Sequence, residues 1–156
     1  MSTRLEAGTT VAADLERVWD VLVDWHGQAR WIPLTTLQVH SPHQRGLGVR
    51  IAALSGFWLG RLPLGLLDRF VVTGWTPPTA GRAELEVLHL GPYFTGEGVF
   101  SLSAAGGRTV VSCVELVTVP GGPLTTRLVA LALPLMRLGF RQSLAQLAAV
   151  CEGRRS

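Results

Sequence analysis

The stretch that decides the fold is LTTRLVALALPLMRLGFRQSLAQLAAVC, residues 124–151. Leu124, Leu128, Leu131, Leu135, Leu138, Leu144 and Leu147 recur at steps of three, four or slightly more, a spacing that predicts one long closing helix. Pro134 lacks an amide hydrogen and should kink it, at a cost of about 3 kcal/mol in a regular interior. The longest apolar run, Leu128 to Leu138, is interrupted by Pro134 and Arg137. It is shorter than the ~20 residues needed to cross a bilayer. A helix this poor in charge is not expected to stand alone in water, so it should lie across the apolar face of a sheet.

Working outward, the residues before it read as strands. Pro120-Gly-Gly-Pro123 leads into the helix, and Arg108 to Val119 precedes it as the last strand. Arg82 to Leu90 and Tyr93 to Ser103 form a hairpin turning at Gly91-Pro92, and Phe70 to Trp75 is a fourth strand stopped by Pro77-Pro78. Gly56, Gly60, Pro63 and Gly65 punctuate Ser55 to Leu67, which therefore reads as an apolar loop: a lid, a dimer contact or a membrane contact. Val49, Ile51 and Ala53 alternate in a third strand, Leu37 and Val39 in a second, and Leu5, Ala7, Thr9 and Val11 in the first. Between the first two strands Asp14 stands where an N-cap belongs, opening a helix that runs to Asp24. Leu15, Val18, Trp19, Leu22 and Trp25 share one side of it. The order predicts an α+β fold, a curved antiparallel sheet wrapped around a long C-terminal helix with short helices after the first strand. A single domain over residues 1–156 is expected.

Composition narrows the function. The chain has 156 residues, 47% hydrophobic and 16% charged, which argues against disorder. All 14 basic residues are arginines scattered along the sequence, with a net charge of +3, so no nucleic-acid partner is expected. Cys113 and Cys151 have neither metal-ligand nor disulfide-framework spacing. No metal and no cofactor are expected. The start, Met-Ser-Thr-Arg-Leu-Glu, has no apolar secretory core, which makes cytoplasmic the default expectation.

VAADLERVWDVLVDW (residues 11–25), continuing to Trp31-Ile-Pro33, resembles the opening of the START-like superfamily, also called SRPBCC or polyketide cyclase/dehydrase-like proteins. Val72-Thr-Gly-Trp75-Thr-Pro-Pro78, Gly96-Glu-Gly98-Val-Phe100-Ser-Leu102 and Gly107-Arg-Thr109-Val-Val111 are similar to the same group. The resemblance covers nearly the whole chain and implies the helix-grip fold. It implies less about function, because members bind lipids, sterols, polyketides or plant hormones and only some are enzymes.

Strand parity supplies candidate chemistry. If Ala83, Leu85 and Val87 face the core, His89 faces it too, and Thr109, Val111 and Cys113 bring Glu115 inward with them. His89 and Glu115 are the candidate catalytic acid/base pair; the competing reading makes them a wet-edge histidine and a rim carboxylate. Trp31, Trp58 and Tyr93 fall near predicted loops and turns, where they could line a pocket mouth or simply pack. Phe70, Met136 and Phe140 are candidate cavity walls. Gly96 and Gly98 leave one strand face bare, with Phe100 continuing the same parity inward, which makes room for a ligand or for the closing helix. The leading expectation is a monomer or homodimer that binds a hydrophobic small molecule, a lipid, isoprenoid or polyketide-like compound, with transient membrane contact during transfer. Two alternatives compete: a cyclase or dehydratase using His89 and Glu115, and a protein-interaction module.

Overall fold

Alternating apolar side chains build the sheet. In the computed structural model, which describes residues 2–59 and 62–154, the strands are β1 (Ser2–Val11), β2 (Thr35–Val39), β3 (Arg50–Leu59), β4 (Leu62–Thr79), β5 (Arg82–Pro92), β6 (Thr95–Ala105) and β7 (Arg108–Thr118). Among the described residues these seven strands form one antiparallel sheet in the order β1-β7-β6-β5-β4-β3-β2. The chain therefore meanders from β2 to β7, and β1 closes the other edge. Helix α1 (Leu15–Leu22) and a 3-10 helix (His26–Arg30) link β1 to β2, and α2 (Pro123–Cys151) follows β7. This is the helix-grip architecture.

The Asp14 side chain caps α1 by accepting from the Arg17 amide at 2.8 Å, and Glu16 in the first turn opposes the helix dipole. Leu15, Val18, Trp19 and Leu22 are all buried against the inner face of the sheet. Trp19 meets Trp75 edge-on at 5.0 Å. The far end of α2 joins this core through Leu144, Leu147, Ala148 and Cys151. The Glu152 carboxylate accepts the Ala12 amide at 2.8 Å, which ties the helix end to the β1–α1 corner.

Three expectations need correction. Ser55 to Leu67 is not a loop: its described backbone extends β3 and β4 as a hairpin, with Gly56 opposite Gly65 and Trp58 opposite Pro63. Gly56 and Gly65 fall at a single rung, so these two bare positions interrupt the ladder once and the rungs on either side of them still pair. Pro77-Pro78 does not stop β4, which runs to Thr79. Both prolines fall in a register shift between the Thr76–Glu84 and Thr79–Arg82 pairs, beyond the last pairing with β3, where no amide hydrogen is required. The third correction concerns α2. It runs unbroken through Pro134 as one helix, but Leu124, Leu128, Leu131, Leu135 and Leu138 face solvent. The partly covered side carries Leu133, Met136 and Phe140 instead.

Candidate active site: an Asp–His–Glu cluster in an apolar cavity

His89 is buried near the end of β5, with its ring between Phe70 and Phe94 at centroid distances of 5.8 and 5.2 Å. Its Nδ1–H donates to Asp68 Oδ2 at 2.9 Å and its Nε2–H donates to Glu115 Oε2 at 3.0 Å. An imidazole can donate from both nitrogens only as the cation. Burial pulls its pKa down, but hydrogen bonds and charge from Asp68 and Glu115 outweigh that and raise it from 6.5 to about 9. At neutral pH the imidazole is therefore held as a cation between Asp68 and Glu115. Histidine has no lone pair left to act as a base, and the groups free to accept a proton or hydrogen bond are carboxylate oxygens.

Three strands supply the cluster: β4 gives Asp68, β5 gives His89 and β7 gives Glu115. Between β5 and β7 lies β6, and there Gly98 sits directly opposite both Val87 and Glu115. A Cβ on Gly98 would stand 2.7 Å from Glu115 Oε1. The bare backbone at Gly98 lets the carboxylate cross a whole strand to reach His89. Gly96, at φ +152°, lies against the β7 backbone at Leu116, where a Cβ would collide. Both glycines do make room, but for Glu115 and for β7.

The cluster opens on a cavity of 240 Å³ walled mainly by apolar side chains, among them Trp25, Trp31, Phe70, Phe94, Phe100 and Phe140. An outer vestibule of 430 Å³ shares Leu66, His89, Phe94, Glu115 and Phe140 with it and adds Tyr93 and Met136. Two polar atoms among the cavity-lining residues are buried without a partner: Asp68 Oδ1, an acceptor, and Trp31 Nε1, a donor. Native interiors leave few such atoms. Thr35 and Ser55 share a hydrogen bond of 2.7 Å, and the Gln28 amide donates to the Leu22 carbonyl at 2.8 Å.

The fold thus brings His89, Glu115, Trp31, Phe70, Phe100 and Phe140 around one cavity, with Tyr93 and Met136 at its vestibule. Gly96 and Gly98 are not among the residues lining either space. The side chain of Trp58 lies outside the described residues. Sequence reasoning missed Asp68, although a signal existed: Asp68 alternates with the inward Phe70 and Val72. Reading 55–67 as a loop hid that parity. Phe94 and Trp25 were missed as walls as well. Cys113 lies in the same inner row, but burial above all, and then the Glu115 charge, pushes its thiol pKa well up and leaves it unreactive.

Residues 2–152 match the family described as "Polyketide cyclase / dehydrase and lipid transport". The chain belongs to that family. Among curated proteins no sequence matches significantly. Several solved structures share the fold at low identity. TTHA0849 from Thermus thermophilus superposes with a TM-score of 0.74 at 16% identity, over 97% of this chain and 98% of that one. Hypothetical protein jhp0584 from Helicobacter pylori gives 0.75 at 12%, over 96% and 88%. The Zhui aromatase/cyclase from Streptomyces sp. R1128 gives 0.68 at 15%, over 97% and 94%. These likenesses establish the helix-grip fold and do not transfer an activity.

Proposed function

We propose that this family member binds an apolar, ring-sized small molecule bearing a hydroxyl group, such as an isoprenoid or polyketide-like compound. One observation carries the reading: an unpaired acid oxygen, Asp68 Oδ1, and an unpaired indole N–H, Trp31, on two residues that line a mainly apolar cavity. A ligand hydroxyl donating to Asp68 and an oxygen accepting from Trp31 would satisfy both. Apolar transfer, about 0.8 kcal/mol per buried methylene, would supply most of the affinity, and the two polar contacts would set orientation. The volume of 240 Å³ supports a guest larger than benzene, which fills an apolar cavity of about 150 Å³.

A second reading, a cyclase or dehydratase, draws support from the same carboxylates. In it Asp68 or Glu115 takes a proton from the bound molecule, while the His89 cation holds both carboxylates in place and stabilises negative charge. His89 is then a positioning residue.

The test compares 2-naphthol with naphthalene by calorimetric titration, alongside native mass spectrometry of protein purified without denaturation. The expected result is preferential binding of the hydroxylated ring. Asp68→Asn should erase roughly a tenfold preference, the worth of one buried hydrogen bond to a charged acceptor. Equal affinity for both rings would overturn the assigned polar contact, and no binding of either would overturn the carrier reading. Base-type chemistry on a substrate recovered by mass spectrometry should be lost in both Asp68→Asn and Glu115→Gln.

A further inference from the structure

One face of the first half of α2 has no partner among the described residues. Leu124, Leu128, Leu131, Leu135 and Leu138 are 58–79% exposed. Their spacing of four, three, four and three residues lines them up as one stripe. On a helix rising about 1.5 Å per residue the stripe spans roughly 21 Å. By composition this helix contains an 18-residue stretch apolar enough for a membrane span, and only 6% of that stretch is buried. Monomeric soluble proteins rarely leave an apolar strip of this kind facing water.

Charge selects the occupant. Arg127, Arg137 and Arg141 are the only charged residues on α2, and no acidic residue occurs between Glu115 and Glu152. At 100° per residue all three arginines fall on one flank of the stripe, while Thr125, Ala132 and Gly139 occupy the other. Pairing with a second copy in antiparallel register would set Arg127 and Arg141 of each helix against those of the other, with no carboxylate to meet them. An anionic lipid surface meets both features at once: leucines enter the acyl boundary and arginines reach the headgroups. The helix cannot span, because its other side packs on the sheet and its end at Leu144, Leu147 and Cys151 is built into the core.

We propose that residues 124–141 of α2 form an interfacial docking surface that seats the protein on anionic bilayers, with the helix lying in the membrane plane. Met136, the neighbour of Leu135, lines the vestibule, so docking brings the cavity mouth close to the lipid. The docking claim itself does not rest on any ligand.

The experiment is flotation of the whole protein with phosphatidylglycerol-rich vesicles and with phosphatidylcholine vesicles, at low and high salt. The protein should float with the anionic vesicles, weakly with the neutral ones, and less as salt rises. Replacing Leu128, Leu131 and Leu135 together by Gln should cut binding roughly tenfold or more. The circular dichroism spectrum and melting midpoint should stay those of the parent, since these side chains touch no core. Arg127→Glu with Arg141→Glu should weaken only the anionic component and leave the apolar stripe in place. Absence of flotation with anionic vesicles would overturn the proposal, as would a triple variant that floats like the parent. A dimer that the leucine substitutions split, without vesicle binding, would assign the stripe to a second copy and overturn it too.

Discussion

The two ends of the same inner sheet face differ sharply. Toward one end, Ala83, Leu85, Leu102 and Val111 meet α1 and the last turns of α2, and Leu22, Val111 and Leu147 are fully buried. Four to six residues further along the same strands, the row continues as His89, Gly98 and Glu115, and the space above it stays open. Side-chain parity is identical at both ends. What changes is the cover: close-packed leucines at one end, half-buried Met136 and Phe140 at the other. Stability is concentrated where the helix end is locked in. The open end can hold a charged cluster because the His89 imidazolium sits between two carboxyl groups and hydrogen-bonds both, so that none of these groups faces hydrocarbon alone.

The largest expected effect breaks the solid end. Leu147→Ala should cost about 4 kcal/mol in urea unfolding, through lost burial plus the cavity left behind. Ligand binding at the other end should change little in the fraction still folded. A similar loss of affinity and stability would mean that the two ends are not separate.

The second effect sharpens the open end. His89 titrates near 9 in the folded chain and near 6.5 as an ordinary histidine, so the folded state binds the extra proton between those values. Its contribution is complete below about pH 6.5 and is lost as pH rises through 9. That loss amounts to about 3 kcal/mol across the window. Urea midpoints measured from neutral to alkaline pH should fall, and His89→Gln should flatten the slope. A flat profile in the parent would mean that the imidazole is not held as a cation.

The smallest effect tests the strand between. Gly98→Ala should cost about 1–2 kcal/mol, because the new methyl meets Glu115 Oε1. It should also lower the His89 pKa, read by NMR titration, as one carboxylate is pushed away. An unchanged titration would show that Glu115 reaches His89 by another route.

Much of this was legible beforehand. Period-two alternation in Ala83-Glu-Leu85-Glu-Val87-Leu-His89 and in Thr109-Val-Val111-Ser-Cys113-Val-Glu115 puts His89 and Glu115 on one face, and the structure brings them within 3.0 Å. Asp14 reads as an N-cap because its side chain has a local partner. Asp68 shares the inward parity of Phe70 and Val72, but the glycines and proline just before it concealed that the strand extends so far back. The vacancy at Gly98 could be read as bare backbone, but its occupant comes from a residue 17 positions later on the next strand.

Outside the paired ends of β3 and β4, sequence alone determined the elements, their order and which face each strand turns inward, because these follow from spacing and local capping within a few residues. Only tertiary structure decided how far α2 covers the sheet, which apolar leucines stay in water and which carboxylate completes the cluster. Those outcomes depend on the curvature of seven strands and on contacts between residues far apart in the chain, and hydrophobic periodicity carries no information about either. A leucine stripe reads the same whether it faces a core or the solvent.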